Sequence, residues 1–571
     1  MFDSLPETAG EFMTWSWAQI EPYYDDLAAQ ALTAKTVANW LADWTRLLNL
    51  LGETRARLYV ATTCDTSDQA AEQRYNAFMG TIAPSVELAD QKLKEKLLAS
   101  GLGAPGFETP LINMQAEVAI FRRSNLPLRT QERQLSTEYN KLAGAQTVQW
   151  NGNELTIPQL KVTYQSEDRA LREQAWRTTV ERQLADREAT NALWVALIKV
   201  RDEQAANADC PDYRAFRWQQ LVRSDYTPAD CARFHQAIGS VAVPAARRIY
   251  EKRRRRLGLP RLRPWDLDID PLGLSPLQPF DSLAELESTA SAIFQRVDPQ
   301  LGSYFEIMRR EKLLDLENRR AKAPGAYCTS FWVQKRPFMF ANIVGTHEDV
   351  RTILHEGGHA FHNFESSHLP YFQQRDVGAE FAEVASMGME LLAAPYLARS
   401  EGGFYSERDA ARARLKLLEG IILFWPYMAV VDAFQHWAYT HRVDASDPKH
   451  CDETWWSLWQ HFMVGVDWSG LEDGMNCGWQ HKHHILRYPF YYIEYGLARL
   501  GAVQIWRNAL RDRVLAVAQY RRALSLGGTL GLPELYAAAG ARFAFDAATL
   551  RKAVSLIEHN IEELEEKIGG D

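Results

Sequence analysis

Two histidines with a glutamate between them are the residues of this sequence whose types and spacing most directly suggest chemistry. They lie in His355-Glu356-Gly357-Gly358-His359. Side chains four residues apart on a helix point the same way, because a helix has 3.6 residues per turn. Two such imidazoles supply two of the three protein ligands of a catalytic zinc, and the glutamate can then take a proton from a zinc-bound water. In a chain with 14 histidines the motif also arises by chance, so a third ligand is needed.

The third ligand is expected from the acidic segment that follows. Residues 379–390 offer three carboxylates, those of Glu380, Glu383 and Glu390. Glu383 stands 28 positions after His355, far enough for the chain to turn and bring a second helix back to the metal. All three have suitable chemistry, and spacing alone does not choose among them. The alternative is that these carboxylates coat the polar face of an amphipathic helix.

Several neighbouring segments follow one recognisable pattern. The histidine motif is followed by Phe-x-Glu-x-x-Ser at 381–386, and it is preceded by Asp315-Leu316, by residues 322–328 and by residues 336–342. Together these segments resemble the thimet oligopeptidase and oligoendopeptidase F superfamily of zinc metallopeptidases. The resemblance implies that Glu383 is the third ligand. One departure is Gly357, where the superfamily usually carries a larger apolar residue, and two adjacent glycines cost a helix about 1–2 kcal/mol.

A segment rich in histidine and tyrosine follows more than a hundred residues later, at 481–496. Tyr488, Tyr492 and Tyr495 stand at i, i+4 and i+7 and would share one stripe of a helix. An aromatic stripe alone is more typical of a core. The superfamily carries a histidine five residues before the first tyrosine, which corresponds to His483. The resemblance implies that His483 and Tyr495 are catalytic donors to the oxyanion, that Tyr488 takes part in catalysis and grips the substrate, and that Tyr492 is a substrate-binding candidate.

The segment before the histidine motif is expected to contribute a strand. Residues 338–345 read as a buried strand that ends just before the metal helix. In zinc peptidases of this general class an edge strand aligns the extended substrate through main-chain hydrogen bonds. Ala341 and Asn342 are therefore substrate-binding candidates, with a plain core strand as the alternative. His362, three residues after His359, is expected to support the ligands or to pack in the core rather than to bind the metal.

Composition narrows the classes of partner. The net charge of −9 and the pI of about 5.9 argue against a dedicated nucleic-acid binder. The basic run at 252–256 is interpreted as a solvated helix end. The longest apolar run, at 420–431, is shorter than the roughly 20 residues that a membrane span needs. The acidic start lacks the order of a secretory signal, and the six cysteines are scattered. We expect a cytoplasmic protein that binds neither nucleic acid nor membrane.

The periodicity of apolar residues is helical over most of the chain and changes to a β-like pattern between Gly325 and Gly345. Asn151-Gly152 between short apolar segments predicts a two-stranded hairpin. With the resemblance, this predicts a mainly α fold: a multi-lobed helical zincin of the gluzincin type, with a small β-sheet beside the active-site helix and a deep substrate channel. We expect two domains, an N-terminal helical lobe with a small hairpin at 1–190 and a catalytic metallopeptidase domain at 191–571.

The resemblance implies a zinc-dependent oligoendopeptidase with one Zn²⁺ per chain. Such an enzyme hydrolyses internal bonds of short unfolded oligopeptides, with Glu356 as the general base. One alternative is another His-Glu-x-x-His zinc hydrolase, either an aminopeptidase or a carboxypeptidase. A second alternative is a catalytically silent helical peptide-binding protein that keeps the metal site for structure.

Overall fold

The structure is a computed structural model, and it describes residues 1–569. It is mainly α, as predicted, because long amphipathic segments dominate the sequence. The α-helices are α1 (Ala9–Phe12), α2 (Trp17–Ala29), α3 (Val37–Cys64), α4 (Gln69–Ala77), α5 (Ala83–Ser100), α6 (Glu108–Ile120), α7 (Asn125–Gly144), α8 (Ile157–Leu160), α9 (Arg169–Ala185), α10 (Arg187–Asn207), α11 (Tyr213–Gln220), α12 (Pro228–Arg256), α13 (Leu283–Val297), α14 (Pro299–Arg310), α15 (His347–Ser366), α16 (Ala379–Ala393), α17 (Glu407–Thr440), α18 (Arg442–Ala445), α19 (Pro448–Phe462), α20 (Glu472–Asn476), α21 (His483–Arg487), α22 (Tyr492–Ala509), α23 (Arg513–Ser525), α24 (Leu532–Ala538) and α25 (Ala547–Gly569).

The strands form two small sheets. They are β1 (Thr147–Trp150), β2 (Asn153–Thr156), β3 (Leu314–Glu317), β4 (Tyr327–Phe331) and β5 (Arg336–Ile343). β1 and β2 form the predicted antiparallel hairpin, and both turn residues, Asn151 and Gly152, have positive φ, as a tight two-residue turn requires. The second sheet has the order β3-β5-β4, with β3 parallel and β4 antiparallel to β5.

The position of β5 corrects the interpretation of Ala341 and Asn342. β5 pairs with a strand on each side, so it is the central strand and not the edge that a peptide could extend. Ala341 is fully buried, and its carbonyl accepts a hydrogen bond from the Lys322 ammonium at 2.7 Å. The Asn342 amide donates to the carbonyl of Ala323 at 2.8 Å. Both residues tie β5 to the segment that precedes β4, and β3 and β4 are the edge strands of this sheet.

The buried side chains of residues 1–569 form three hydrophobic clusters. One lies among the N-terminal helices up to Met114, a small one lies around the hairpin, and the largest runs through the rest of the chain and includes α15, α16, α17 and α22. A few residues of the largest cluster, such as Ala56 and Tyr139, come from the N-terminal helices. The proposed domain boundary at residue 190 stays a prediction.

α17 is long and apolar enough to cross a bilayer by length and composition, with a mean hydropathy of 1.6 over its most apolar window. In the structure 67% of that window is buried inside the protein. A helix in the core of a globular protein can have the same length and apolar composition. One mostly buried helix of this kind among residues 1–569 is therefore weak support for a membrane span.

The basic run at the end of α12 is largely paired with glutamates. Lys252 and Arg256 both form ion pairs with Glu565 on α25, and Arg254 and Arg255 pair with Glu251. The pairs with Glu565 connect α12 to the last helix, and four of the five cations of the run at 252–256 have a carboxylate partner.

Two adjacent glycines set how closely α15 approaches its neighbours. A Cβ at Gly358 would lie 2.4 Å from the carbonyl oxygen of Ala385 and 2.5 Å from the Cα of Ser386, both on α16. A Cβ at Gly357 would instead lie 2.6 Å from the ring of Phe294, which fills the space of the larger residue that the superfamily carries there. Gly358 is therefore required by backbone packing, whereas Gly357 is matched to one side chain.

We expect Gly358→Ala to destabilise the protein by about 2 kcal/mol or more, because two helix backbones must move apart. Gly357→Ala is expected to cost less, and Phe294→Leu should partly restore its stability by making room for the new methyl group. Gly420→Ala is the control, because nothing lies within 4 Å of a Cβ there. Its gain in helix propensity is expected to stabilise by about 0.5–1 kcal/mol. Chemical denaturation measures all four variants, and equal costs at both α15 glycines would contradict this account.

Candidate active site

The two histidines and one glutamate come together where α15 crosses α16. His355 and His359 lie one turn apart on α15, and Glu383 faces them from α16. Glu383 Oε2 lies 3.4 Å from His355 Nε2 and 3.9 Å from His359 Nε2. One donor atom from each of the three residues lies within 4.8 Å of the others. Of the three carboxylates that spacing left open, Glu383 is the one at both imidazoles.

These donor atoms fit a tetrahedral zinc. With bonds of about 2.0–2.1 Å, the ligand atoms of such an ion stand about 3.3 Å apart. The distances from Glu383 to the two imidazoles are close to this value. The donor set of two imidazoles and one carboxylate is also one that catalytic zinc uses, with the fourth position left for water or substrate.

Glu390 orients His355 from the side opposite Glu383. Its Oε1 lies 2.8 Å from His355 Nδ1, and its other oxygen lies 3.3 Å from the guanidinium of Arg351. A proton on Nδ1 that bonds to a carboxylate leaves Nε2 free as a ligand atom. The sequence is compatible with Glu390 as a ligand or as a surface residue, and the structure places it in neither position. Its spacing of seven from Glu383, two turns of one helix, is the signal that could have indicated this role.

Negative charge accumulates around these imidazoles. Burial acts to lower the pKa of His355, but the contacts and charges of Glu383 and Glu390 outweigh it and raise this pKa to about 10. Burial opposes ionisation of Glu383, yet His355 and His359 hold its pKa below the ordinary value. The site therefore favours a positive charge between the carboxylates, as a cation site requires.

Glu356 lies beside the three candidate ligands and is not itself part of the donor cluster. It is buried, and its Oε2 has no hydrogen-bond partner among residues 1–569. Burial raises its pKa to about 7, with the charges of Glu383 and Glu390 adding to the effect and that of His355 opposing it. A carboxylate with this pKa is poised to accept and return a proton near neutral pH.

The histidine and tyrosine segment is not one helix, which corrects the predicted stripe. α21 ends at Arg487 and α22 begins at Tyr492. Pro489 disfavours helical geometry at Tyr488, and Phe490 has a φ of 65°. The break rotates Tyr488 out of line with the tyrosines of α22.

The break brings Tyr491 to the site, a residue that the sequence analysis missed. Its hydroxyl donates to Glu383 Oε1 at 3.2 Å, and its ring lies 5.3 Å from that of Tyr495. Both phenols line the same cavity as the candidate ligands. Their spacing of four residues was visible in the sequence, but it competed with the equal spacing of Tyr488 and Tyr492.

The other candidates of this segment lie further from the ligands. Tyr492 is buried, and its hydroxyl accepts a hydrogen bond from the Lys482 ammonium at 2.7 Å. Tyr488 is 41% exposed, and its ring lies 6.3 Å from that of His483. His484, which the sequence analysis did not single out, lies closer to the phenols of the cavity, with ring centroids 5.8 Å from Tyr495. Of the four residues predicted from this segment, Tyr495 lines the cavity. His483, Tyr488 and Tyr492 do not line it.

The cavity beside the ligands has a volume of about 450 Å³ and is bounded by the free edge strand on one side. Tyr327, Cys328 and Ser330 of β4 line it, opposite Tyr491 and Tyr495. His362 also lines it, packed against Phe381, and is not one of the three clustered donors. This cavity can hold a few residues of an extended chain between an unpaired strand edge and the candidate ligands.

Glu380 is occupied elsewhere. Its Oε1 accepts from Arg223 at 3.2 Å and from the hydroxyl of Tyr226 at 2.5 Å. Arg223 also pairs with Glu494 on α22. This buried network joins the start of α16 to α22, so Glu380 serves packing between the helices that carry Glu383 and Tyr495.

Known proteins match both the sequence and the fold. The model of peptidase family M3 matches residues 162–555. A structure of PZ peptidase A with an inhibitor superposes with a TM-score of 0.88 at 25% identity, and 99% of each chain is covered. A protein provisionally described as an oligoendopeptidase F superposes with a TM-score of 0.87 at 25% identity over 98% of each chain. A protein of the same description from Bacillus anthracis gives 0.84 at 22% identity over 96% of each chain. No curated protein matches the chain.

The fold and the matched families define a metallopeptidase. Because the family model covers well over half of the sequence, the chain belongs to peptidase family M3. The resemblance to oligoendopeptidase F that the motifs indicated is confirmed.

Removing Glu390 tests its role in orienting His355. We expect Glu390→Ala to lower zinc affinity by about 10–100-fold, because the imidazole loses the acceptor that fixes its tautomer and direction. Competition with a chromophoric chelator measures this affinity. Glu348→Ala is the matched control, since Glu348 pairs with the same Arg351 from the exposed side and does not contact His355. Equal losses in the two variants would show that the effect passes through Arg351 alone.

Proposed function

We propose that this protein is a zinc-dependent oligoendopeptidase that cleaves internal bonds of short unfolded peptides. The observation that carries the proposal is the convergence of His355, His359 and Glu383 beside Glu356 in a cavity edged by an unpaired strand. Membership of a peptidase family supports hydrolysis of peptide bonds. The negative net charge and the six free cysteines are in keeping with a cytoplasmic location, which we include in the proposal.

His355, His359 and Glu383 would hold one zinc ion per chain. When bound, zinc lowers the pKa of a coordinated water and polarises the carbonyl of the scissile bond. Glu390 keeps Nε2 of His355 directed at the ion, and Tyr491 restrains Glu383 through its hydroxyl. The chain thus fixes the direction of two of its three ligands before any substrate arrives.

Glu356 is the proposed general base. Its unpartnered carboxylate oxygen is free to accept a proton from the attacking water and to return it to the leaving amine. Its raised pKa matches both transfers near neutral pH, because the group is neither too strong nor too weak a base there.

A phenol stabilises the charge that develops on the carbonyl oxygen. Tyr495 and Tyr491 line the cavity, and burial raises the pKa of both, so each keeps its proton. Because the Tyr491 hydroxyl donates its hydrogen bond to Glu383, Tyr495 is the proposed donor to the oxyanion. His483 and Tyr488 lie further out, and we propose that they contact the peptide away from the cleaved bond. The position of Tyr488 near Tyr59 of α3 supports this role, because the ring of Tyr59 lies 5.4 Å from that of Tyr327 at the cavity.

The edge strand β4 is the proposed platform for the substrate backbone. β4 lines the cavity and pairs with β5 only, so its outer main-chain groups can add an extended peptide as a further strand. Recognition of the backbone favours unfolded peptides over folded proteins. An aminopeptidase or a carboxypeptidase must bind a free chain terminus. A peptide blocked at both ends therefore distinguishes these alternatives from an endopeptidase.

A peptide blocked at both ends tests the endopeptidase function. The zinc-loaded protein is expected to cleave it internally, and a chelator should abolish cleavage reversibly; mass spectrometry of the fragments measures both. Glu356→Gln should keep zinc and lose at least about 100-fold in kcat, because the base is replaced by an amide of the same shape. Removal of single residues only from unblocked peptides would support an exopeptidase. Full activity of Glu356→Gln would exclude it as the base.

Two tyrosines of the broken segment give a second test. Tyr495→Phe is expected to reduce kcat by about 10²–10³-fold with little change in KM, because a donor to the developing oxyanion is lost. Tyr492→Phe is the matched control, since its hydroxyl bonds to Lys482 outside the cavity. Steady-state kinetics on one blocked peptide compares them. A larger loss of kcat in Tyr492→Phe would mean that Tyr492, and not Tyr495, donates to the oxyanion.

A further inference from the structure

Four side chains with metal-binding atoms meet between two helices away from the active site. Cys231 and His235 lie four residues apart on α12, and Asp432 and His436 lie four residues apart on α17. Residues with this spacing share one helix face, and the two helices pack against each other. The structure thus contains two matched pairs of donors, facing one another across a helix interface.

Donor atoms of three of these side chains are close enough to share one ion, and His235 joins them through its contact with Asp432. Asp432 Oδ2 lies 2.8 Å from His235 Nε2 and 3.3 Å from His436 Nε2. One donor atom from each of Cys231, Asp432 and His436 lies within 4.8 Å of the others. A tetrahedral zinc site with imidazole and thiolate ligands has separations of about 3.3–3.8 Å. Small rotations of these side chains would reach that geometry.

Hydrogen bonds within the protein leave this cluster incomplete. Asp432 is fully buried, and its Oδ1 has no hydrogen-bond partner in the described chain, 1–569. His436 Nε2 also lacks one there, because its approach to Asp432 is not at a hydrogen-bonding angle. A buried polar atom without a partner costs about 1–3 kcal/mol, and more if charged. A bound cation would satisfy both atoms at once.

We propose that Cys231, His235, Asp432 and His436 form a second zinc site with a structural role. Four protein ligands close the coordination shell and leave no position for a reacting water. A thiolate with two imidazoles selects zinc over magnesium or calcium, which prefer oxygen ligands. On binding, the Cys231 thiol loses its proton to solvent and the sulfur forms a bond to zinc.

The site would stabilise the turn that presents the catalytic phenols. The His436 ring lies 5.1 Å from the ring of Phe490, and the side-chain oxygen of Gln435 accepts the backbone N–H of Phe490. Phe490 holds a left-handed conformation immediately before Tyr491. A metal that fixes this turn of α17 therefore fixes the residue on which the position of Tyr491 depends.

Cobalt binding to the full-length protein tests the proposal. The metal-free protein is titrated with Co²⁺, and cobalt per chain is counted by mass spectrometry of the metal after removal of excess ions. A cysteine ligand adds a sulfur-to-cobalt charge-transfer band in the near ultraviolet, which the active-site donors His355, His359 and Glu383 cannot produce. We expect two cobalt ions per chain and this band in the unsubstituted protein.

Three variants assign the band. Glu383→Ala should keep the band and about one cobalt, whereas Cys231→Ser should lose the band and keep about one cobalt. Cys451→Ser is the control, because Cys451 is equally buried but bonds to the carbonyl of Ala445. One cobalt per chain without the band, or a band that persists in Cys231→Ser, would overturn the proposal. If Cys231→Ser does not fold, the presence or absence of the band in Glu383→Ala decides.

Discussion

The active site depends on the close approach of α15 to α16 at Gly358. No side chain fits between the helices there, because a Cβ would lie 2.4 Å from the backbone of α16. This distance lets Glu383 reach both His355 and His359, which stand a full turn apart. The helices are further fixed by the ring of Phe294 against Gly357 and by the bond from the Tyr520 hydroxyl to the Ala385 carbonyl at 2.6 Å. Helix packing, rather than a flexible loop, therefore sets the separation of the ligands.

Most of the buried carboxylates around this contact lie beside a basic side chain. Glu390 lies between His355 and Arg351, while Glu380 and Glu494 share Arg223. Unpaired charges at this depth would each cost several kcal/mol, so the pairs define where each helix end can sit. Glu356 is the exception, since this residue lines the cavity and its Oε2 has no hydrogen-bond partner in the described residues 1–569. An unpartnered carboxylate is costly to the fold and useful to a reaction that moves a proton.

The proposed second zinc site connects two parts of the molecule that the active site needs. α12 and α17 form the packing behind α22, with Phe234 and Met428 both close to Gly496. Tyr491 and Tyr495 lie at the start of α22, just after the turn at Phe490. If a metal ion links α12 to α17, it also stabilises the part of α17 that contacts the turn at Phe490.

Much of this protein was determined by its sequence, because local patterns have local causes. The spacing of His355 and His359 requires only a helix, the Asn151-Gly152 turn requires only its own φ values, and the motif at 381–386 singles out Glu383 through its resemblance to the superfamily. Tertiary packing decided the rest. Whether β5 is an edge or a central strand depends on where β3 pairs, and for this reason the proposed substrate platform is β4 and not the strand that carries Ala341 and Asn342. The position of Tyr491 depends on a break at Pro489 and Phe490 that equal tyrosine spacings concealed. The role of Glu390 depends on which side of His355 α16 passes, and only the folded chain defines that side.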